Sequence, residues 1–418
     1  MRILILGAGI TGITAAYTLA SRGHEVEVVE QEPSAAMQTT FSNGGQLSYS
    51  HAQPWANPAV FKKVFGWMLR DDAPLVLRPK ADLAMIRWMM HFLLQCQPAR
   101  ADENCERMLR IALYSRKKMH EIVAQTNIEF DYRQQGILHI FSDQKSLDGA
   151  IKHAKFQEKL GCHEQILSRQ ECLAKEPSLQ QAHKQIIGGI YSDSDESGDA
   201  HLFTQRLAQY CEQHLGVRFS YGVTVNKLHG SKQRITSIAT SQGEMRADAY
   251  VLALGSYSTL LAKQIDIHLP IYPMKGYSIT LPAWKDAPEV SITDDEKKVV
   301  FSRLGERVRA AGTAEFAGYN TAIRPVRIEQ IFSSFRDLFP HVPTNGADEW
   351  ACIRPQTPDG PPLVGRTPCA NLYLHTGHGT LGWTHGAGTA YLLADIIDQR
   401  ATEIRLAGYE LSRYRKAG

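Results

Sequence analysis

The chain has 418 residues, of which 43% are hydrophobic and 21% are charged, and its formal net charge is +3. A chain of this length is too long to fold around one simple hydrophobic core, so we expect two domains, or one large domain with a second inserted. Such a protein can also bury a large cofactor. The weak net charge argues against nucleic acid as a partner. The cysteines are scattered, odd in number and without a C-x-x-C pair, so we expect neither a disulfide framework nor a metal site.

The sequence predicts a cytoplasmic protein. Its first expected strand begins at Arg2 and reaches a glycine-rich turn at Gly7, which leaves no room for the charged and apolar regions of a signal peptide. The most apolar run, LAMIRWMMHFLL at 83–94, contains Arg87 and His91 and falls short of the roughly 20 residues that a membrane span needs. We therefore expect no segment that crosses a bilayer.

The first thirty residues follow the pattern of a dinucleotide-binding unit. An apolar run at 2–6 leads into G-A-G-I-T-G and a helical pattern, and a second apolar run ends in an acid 18 residues beyond the last glycine. Glycines let the backbone approach a pyrophosphate, the helix start offers free N–H groups, and a strand-end carboxylate accepts ribose hydroxyls. The alternatives are a bare glycine turn and an unrelated acidic charge. The predicted contacts are Gly7, Ala8, Gly9, Ile10, Gly12, Glu30 and Gln31.

A small polar loop indicates whether the bound dinucleotide is NAD or FAD. TTFSNGGQLS at 39–48 directly follows the first β-α-β unit, where a nicotinamide enzyme usually continues with another strand and helix. A flexible polar loop suits an isoalloxazine ring better, so we predict FAD, although the segment alone is also typical of a surface turn. The predicted contacts are Thr40, Ser42, Asn43, Gly44 and Gln46.

The rest of the nucleotide-binding domain is expected far along the chain, which makes that domain discontinuous. Strand patterns return at 217–225 and 247–258 and contribute Val225 and Gly255 to the predicted site. The segment at 371–388 then runs from a strand into a glycine-rich turn and an apolar helix, an anion site suited to the pyrimidine side of a reduced flavin. Its predicted contacts are Gly377, His378, Gly379, Thr380, Leu381 and Gly382, with a loop histidine that has no cofactor role as the alternative at position 378.

Taken together, six blocks of the sequence resemble a known family. GAGITG, TTFSNGGQ, VLALGSYS, YPMKGYS, IRPQTPDGPPLVGRT and TGHGTLGWT are similar to motifs of the FAD-dependent amine and amino-acid oxidoreductases of the D-amino-acid oxidase superfamily. The similarity is greatest to the bacterial D-amino acid dehydrogenase branch. It runs from residue 1 to about 414, with the blocks in the expected order.

The resemblance implies an α/β fold with a discontinuous, Rossmann-like FAD-binding domain and a second α+β substrate-binding domain on a largely antiparallel sheet. The implied ranges are 1–50, 178–270 and 350–418 for the FAD domain, and 51–177 and 271–349 for the substrate domain. Local patterns agree. The segment at 103–125 has the apolar spacing of an amphipathic helix, 129–141 predicts two strands around a turn, and 298–313 predicts two strands around Leu304-Gly305-Glu306.

The resemblance also implies catalytic residues. Arg354 matches the arginine that holds the substrate carboxylate over the flavin, and a guanidinium fork suits a carboxylate because the two form parallel hydrogen bonds. The alternative is a structural ion pair between Arg354 and Asp359. Lys275 and Tyr277 match positions facing the substrate region, with packing in the core as the alternative for both.

The implied reaction is oxidative deamination of a D-amino acid to a 2-oxo acid and ammonia, by hydride transfer to flavin N5. Three alternatives remain. The first is an amine oxidoreductase that acts on glycine, sarcosine or proline derivatives, with oxygen as an alternative acceptor. The others are a flavoprotein of tRNA modification, which the weak charge disfavours, and a protein that holds FAD without catalysis. Cys352 differs from the D-amino acid dehydrogenase branch, which usually has a small residue at this position. Some sarcosine oxidases link FAD covalently through a cysteine at the corresponding position. An inert buried thiol and noncovalent FAD are the expectation.

The electron acceptor implied by the resemblance is a quinone of the respiratory chain, and such an acceptor suggests peripheral contact with the cytoplasmic face of the inner membrane. Segments 61–70 and 83–94 combine tryptophan, methionine and phenylalanine with lysine and arginine, a composition suited to an anionic bilayer surface. Packing of core helices in the substrate domain is the alternative explanation of the same residues.

Overall fold

A computed structural model describes residues 1–51, 53–58, 60, 75–77 and 82–414. The strands are β1 (Arg2–Leu6), β2 (Glu25–Glu30), β3 (Gln46–Leu47), β4 (Leu75–Leu77), β5 (Ile137–Phe141), β6 (Gln165–Ser168), β7 (Gly188–Ser192), β8 (Glu196–Ser197), β9 (Arg218–Tyr221), β10 (Val225–Gly230), β11 (Ile235–Thr240), β12 (Gly243–Met245), β13 (Ala249–Leu252), β14 (Tyr272–Pro282), β15 (Ser291–Asp294), β16 (Val299–Leu304), β17 (Arg307–Phe316), β18 (Asp348–Gln356), β19 (Leu363–Arg366) and β20 (Leu372–Thr376). The helices are α1 (Ile10–Ser21), α2 (Leu83–Gln95), α3 (Pro98–Thr126), α4 (Gln144–Glu158), α5 (Arg169–Lys175), α6 (Ala200–Leu215), α7 (Ser258–Lys263), α8 (Pro325–Leu338) and α9 (Gly382–Ile397).

The first sheet is the predicted nucleotide-binding sheet, with strand order β19-β20-β13-β1-β2-β9. All of its neighbouring strands are parallel except β19, which pairs antiparallel with β20. Ile3 and Ile5 face a core that includes residues of α1, α6 and α9, while Leu4 and Leu6 face the small β10-β11-β12 sheet. Burial on both faces explains why these strands are continuous apolar runs.

The second sheet has the order β18-β14-β17-β16-β15-β5-β7-β6, with β4 paired to β17. Most of its pairs are antiparallel, and one face packs against α8 through Ile328, Ile331 and Phe335. The other face approaches the loop after β2, because a Cβ atom added at Gly44 would lie 2.7 Å from the Val300 side chain. Glycine at this position therefore lets the polar loop lie directly on the sheet.

The mixed α/β class and the antiparallel character of the second sheet agree with the sequence-based expectation. The two strands predicted around Leu304-Gly305-Glu306 are β16 and β17, and the predicted 103–125 helix lies within α3. The prediction of two strands at 129–141 was wrong for the first of them: only Ile137–Phe141 is a strand, and Arg133 makes a single bridge to Ser197. A hairpin cannot form there because β5 pairs instead with β7 and β15.

The domain ranges stay a prediction, and the sheets do not follow them throughout. Both β7 and β18 pair within the second sheet, although their residues fall mainly in ranges assigned to the FAD domain. The consequence for function is that β18, which carries Arg354, belongs to the sheet that lies over the polar loop.

Candidate active site

A cavity of about 710 Å³ lies where the two sheets face each other, and both of them contribute to its walls. The predicted residues that line it are Gly7, Gly9, Ile10, Glu30, Gln31, Thr40, Ser42, Asn43, Gly44, Gln46, Val225, Gly255, Arg354, His378, Gly379, Thr380, Leu381 and Gly382. The structure thus brings together segments that are more than three hundred residues apart in the sequence. Ala8, Gly12, Lys275, Tyr277 and Gly377 are not among the lining residues.

The first glycine turn is shaped by close backbone approach. A Cβ atom at Gly12 would lie 1.9 Å from the Gly7 carbonyl oxygen, so only glycine allows α1 to start so close to β1. The Ala8 N–H donates to the Glu30 carboxylate at 2.7 Å, which joins the turn to the end of β2. Ala8 and Gly12 therefore support the turn from behind, while Gly7, Gly9 and Glu30 face the cavity.

The polar loop is held by the backbone of α1 on one side and by side chains of the second sheet on the other. Thr40 Oγ1 accepts the Ile10 N–H at 3.2 Å, and Gln46 Nε2 donates to Thr293 Oγ1 at 3.1 Å. Arg309, in β17, donates to the Asn43 carbonyl at 3.0 Å, a contact that the sequence did not predict. Burial lowers the pKa of Arg309 to about 10, which still leaves it charged at neutral pH.

The last glycine turn brings the start of α9 to the cavity. The Gly379 N–H donates to the Pro355 carbonyl at 2.9 Å, which ties this turn to the strand of Arg354. His378 and His375 both contact Thr389 Oγ1, at 3.0 and 2.7 Å from their Nε2 atoms. Burial, followed by the neighbouring histidines, holds the pKa of His378 well below its usual range, so the ring is neutral.

These features fit FAD. Helices α1 and α9 both begin without a hydrogen bond from a capping side chain, and their first residues line the cavity. The positive dipole ends of these helix starts suit a pyrophosphate at α1 and the pyrimidine ring of a flavin at α9. Glu30 at the end of β2 is placed for ribose hydroxyls.

Arg354 lies flat against the neighbouring strand. A Cβ atom at Gly276 would be 2.2 Å from the Arg354 Cζ atom, so glycine leaves the space that the guanidinium occupies. The guanidinium reaches β17, where Nη1 lies 3.4 Å from the Thr313 carbonyl oxygen. Thr313 has a φ of 54°, which is unusual for a β-branched residue, next to a register shift between β14 and β17.

The guanidinium of Arg354 faces the cavity without an acidic partner among the residues that the structure describes. The alternative of an ion pair with Asp359 is wrong, since Asp359 pairs with Arg413 at 2.7 Å and also contacts Tyr414. Desolvation lowers the pKa of Arg354. A charge kept in this position without a protein carboxylate is available for the carboxylate of a ligand.

Lys275 and Tyr277 lie in a buried ionic cluster. The Tyr277 hydroxyl donates to Glu315 at 2.6 Å, and Lys275 Nζ contacts the same carboxylate at 3.4 Å and the Ala322 carbonyl at 2.9 Å. Tyr277 also belongs to the core under α8. The structure does not bring these two residues into the cavity wall, and a role toward substrate stays a prediction.

The chain that leaves the polar loop is fixed by a buried carboxylate. Asp195 accepts the Ser50 N–H at 2.8 Å and the Ser50 hydroxyl at 2.6 Å. Burial raises the pKa of Asp195 to about 7, and burial together with the charge of Asp195 raises that of Glu164 to about 7. No sequence motif marks these acids, because they meet only through the fold.

Comparison with known proteins agrees with the geometry. A sequence profile of the family described as FAD dependent oxidoreductase matches residues 2–396. A D-amino acid dehydrogenase from Chromohalobacter salexigens is 43% identical over 417 residues, covering 99% of this chain and 100% of that protein. One from Paramagnetospirillum magneticum is 45% identical over 418 residues, covering 99% of both chains.

Solved structures share the fold at low sequence identity. The glycine oxidase of Bacillus cereus has a TM-score of 0.73 at 21% identity, covering 96% of both chains. The L-proline dehydrogenase from P. horikoshii has a TM-score of 0.76 at 17% identity, covering 98% of this chain and 96% of the other. These structures confirm the predicted fold class, and the family match confirms the prediction of FAD.

We expect the acid pair to make stability depend on pH. The raised pKa values mean that the folded protein binds more protons than the unfolded chain between about pH 4 and pH 7, so stability falls as pH rises through this window. Asp195→Asn removes one of these sites and should reduce the fall between pH 5 and 8 by on the order of 2 kcal/mol. The measurement is thermal unfolding across this range.

Asp193→Asn, the same exchange at an exposed residue nearby, is the control and should leave the pH profile unchanged. An Asp195→Asn profile parallel to that of the wild type would contradict the assignment of a protonated buried acid.

Proposed function

We propose that this chain, which belongs to the FAD dependent oxidoreductase family, oxidatively deaminates D-amino acids to 2-oxo acids and ammonia. The observation that carries the proposal is the guanidinium of Arg354, which faces the cavity and has no acidic partner among the described residues. Near-full-length relatives named D-amino acid dehydrogenase support the choice of substrate. As a member of this family the chain is an FAD-dependent amino acid dehydrogenase.

The protein's part in the reaction is binding and orientation. Arg354 holds the substrate carboxylate with two parallel hydrogen bonds, and Gly276 and the Thr313 carbonyl fix where the fork points. FAD, when bound, supplies the hard chemistry by accepting the α-hydrogen as a hydride at N5. The amine has to be neutral for the α-hydrogen to leave as a hydride.

A second candidate shares the same anchor. The fold is similar to that of a glycine oxidase and an L-proline dehydrogenase, so an amine oxidoreductase acting on glycine, sarcosine or proline derivatives also fits an arginine that binds carboxylate. Anaerobic reduction of the flavin by a panel of D-alanine, L-alanine, glycine, sarcosine and proline separates the two. Preference for D-alanine supports the first.

The proposed electron acceptor is a quinone at a membrane surface. Helix α2 buries Trp88 and Phe92 in the core but exposes Leu83, Ile86, Met90 and Leu94, which recur on one helical face. The segment at 61–70, which the sequence assigns to the same surface, lies outside the described residues. Among the helices that the structure describes, none is both long and apolar enough to span a bilayer.

Arg354→Ala should retain FAD and lose about 30-fold to several thousand-fold in kcat/KM for D-alanine, which corresponds to the about 2–5 kcal/mol typical of a broken desolvated charge pair. Arg354→Lys should recover little, because lysine lacks the fork. Steady-state kinetics with flavin quantification provide the test, and Arg336→Ala, at an exposed arginine, is the control. Unchanged kcat/KM in Arg354→Ala would contradict the assignment of Arg354 as the residue that binds the substrate carboxylate.

FAD should be bound noncovalently. Cys352 is buried, and burial raises the pKa of its thiol, so the thiolate needed for attack on the flavin is scarce. Acid precipitation is expected to release the yellow colour from the wild type and from Cys352→Ala alike. Colour kept in the wild-type pellet and lost from that of Cys352→Ala would establish a thioether link instead.

Reoxidation of the substrate-reduced enzyme should be much faster with a ubiquinone analogue than with oxygen. With a long-chain analogue embedded in anionic phospholipid vesicles, the double variant Ile86→Glu/Met90→Glu should react more slowly, because charge on the exposed face of α2 opposes docking. A short, water-soluble analogue should react equally with both forms. Stopped-flow absorbance measures the rates with both analogues and with oxygen, and rapid stoichiometric peroxide formation with oxygen would reveal an oxidase.

A further inference from the structure

The loop between β17 and α8, residues 317–324, connects the second sheet to the nucleotide-binding side of the cavity. We call this loop the strap. The hydroxyl of Tyr319 in the strap donates to the Ser256 carbonyl at 3.1 Å and lies 2.7 Å from Thr259 Oγ1. The Tyr319 ring is 5.2 Å from the ring of Tyr257. The strap therefore contacts three neighbouring residues that follow β13.

The turn that Tyr319 contacts is part of the cavity wall. Residues 255–257 all line the cavity. The chain just before them lies against the first glycine turn, because a Cβ atom at Gly7 would be 2.8 Å from the Ala253 carbonyl oxygen. The glycine turn is the part of the cavity that suits a pyrophosphate. Tyr319 thus makes its contacts at the nucleotide end of the FAD site.

Local structure alone gives this turn little support. Residues 255–257 form a single turn of 3-10 helix, and α7, which follows it, has six residues. Helices this short are unstable in isolation, so their shape depends on contacts with other parts of the chain. Thr376, at the end of β20, donates to the Gly255 carbonyl at 2.9 Å. Tyr319 adds a hydrogen bond from the side of the second sheet.

The other end of the strap is anchored by a buried ionic cluster of β14 and β17. Lys275 Nζ donates to the Ala322 carbonyl at 2.9 Å and contacts the Glu315 carboxylate at 3.4 Å. Arg324, the last residue of the strap, contacts the same carboxylate at 3.1 Å. Lys275 and Glu315 are both buried. Breaking a buried ion pair is costly, so the cluster fixes the strap to the second sheet.

The strand that anchors the strap also positions the carboxylate anchor. Side chains alternate between the two faces of a strand, so Lys275 lies on the face of β14 opposite to Gly276. The space that Gly276 leaves is occupied by the Arg354 guanidinium. One face of β14 therefore positions the arginine, and the other face holds the strap.

We propose that the strap retains FAD by holding residues 255–257 in the conformation that binds its nucleotide part, and that Lys275 is a positioning residue that acts through the strap. This gives the buried lysine a role in the FAD site, although it does not line the cavity. The proposal depends on FAD binding, which the family match shows, and not on which amino acid is oxidised.

Tyr319→Phe keeps the aromatic ring and removes the hydroxyl. Binding of FAD to the apoprotein, measured by quenching of flavin fluorescence, should weaken by about tenfold, because one or two hydrogen bonds that hold the cavity wall are lost. Tyr191→Phe is the matched control. The Tyr191 hydroxyl also donates to a backbone carbonyl, that of Gln135 at 3.0 Å, but Tyr191 does not line the cavity. Its variant should bind FAD as the wild type does.

Lys275→Met tests whether the lysine acts through the strap. It should weaken FAD binding by itself and add little in a double variant with Tyr319→Phe, because both substitutions release the same turn. Arg324→Gln completes the same cycle if Lys275→Met yields no folded apoprotein, since the Arg324 side chain is partly exposed and tolerates exchange better.

The strap is supported by weaker FAD binding in Tyr319→Phe and unchanged binding in Tyr191→Phe. An unchanged Kd in Tyr319→Phe overturns it, and so does an equal loss in Tyr191→Phe, which would reflect general destabilisation. Full additivity in the double variant overturns the role of Lys275. Slower reduction of bound flavin by D-alanine in Lys275→Met, with an unchanged Kd for FAD, also overturns that role and assigns the lysine to the substrate.

Discussion

The isolation of one guanidinium is the constraint on which the site depends. Arg354 is only partly exposed, desolvation disfavours its charged form, and no acidic residue pairs with it among the described residues. Gly276 leaves the space for the fork, and the Thr313 backbone adopts a strained conformation with its carbonyl 3.4 Å from Nη1. Strain of this kind persists where surrounding structure enforces it and is concentrated at functional sites. A carboxylate ligand would supply the missing counter-ion.

Position within the sheet gives this arginine its function. Most of strand β18 falls in a range that the sequence assigns to the FAD domain, yet β18 pairs with β14 in the second sheet. Arg354 therefore lines the same cavity as the first residues of α1 and α9. The hydrogen bond from Gly379 to Pro355 links the α9 turn to this strand. Cofactor and carboxylate anchor are therefore positioned by one connected backbone, which suits a reaction that depends on orientation.

The sequence predicted the parts of the site that are local in the chain. Gly7, Gly9 and Gly12 are recognisable because a backbone turn and a helix start fix their spacing, and most of the predicted cofactor contacts line the cavity. Arg309 and His139 could not be found in this way, because each lies in an ordinary strand. Only cross-strand register brings Arg309 to the carbonyl of Asn43 and His139 to the cavity wall. Lys275 was predicted to face the substrate but does not line the cavity. The direction of its side chain depends on strand alternation and on the register shift between Lys275 and Tyr277, which no sequence motif reveals.

The most direct test of the account is a crystal structure of the FAD-bound protein with propanoate, which is D-alanine without its amino group. The account predicts both carboxylate oxygens about 2.8 Å from the Arg354 guanidinium. A carboxylate bound elsewhere in the cavity, with Arg354 paired to an acidic residue of the protein, would contradict it.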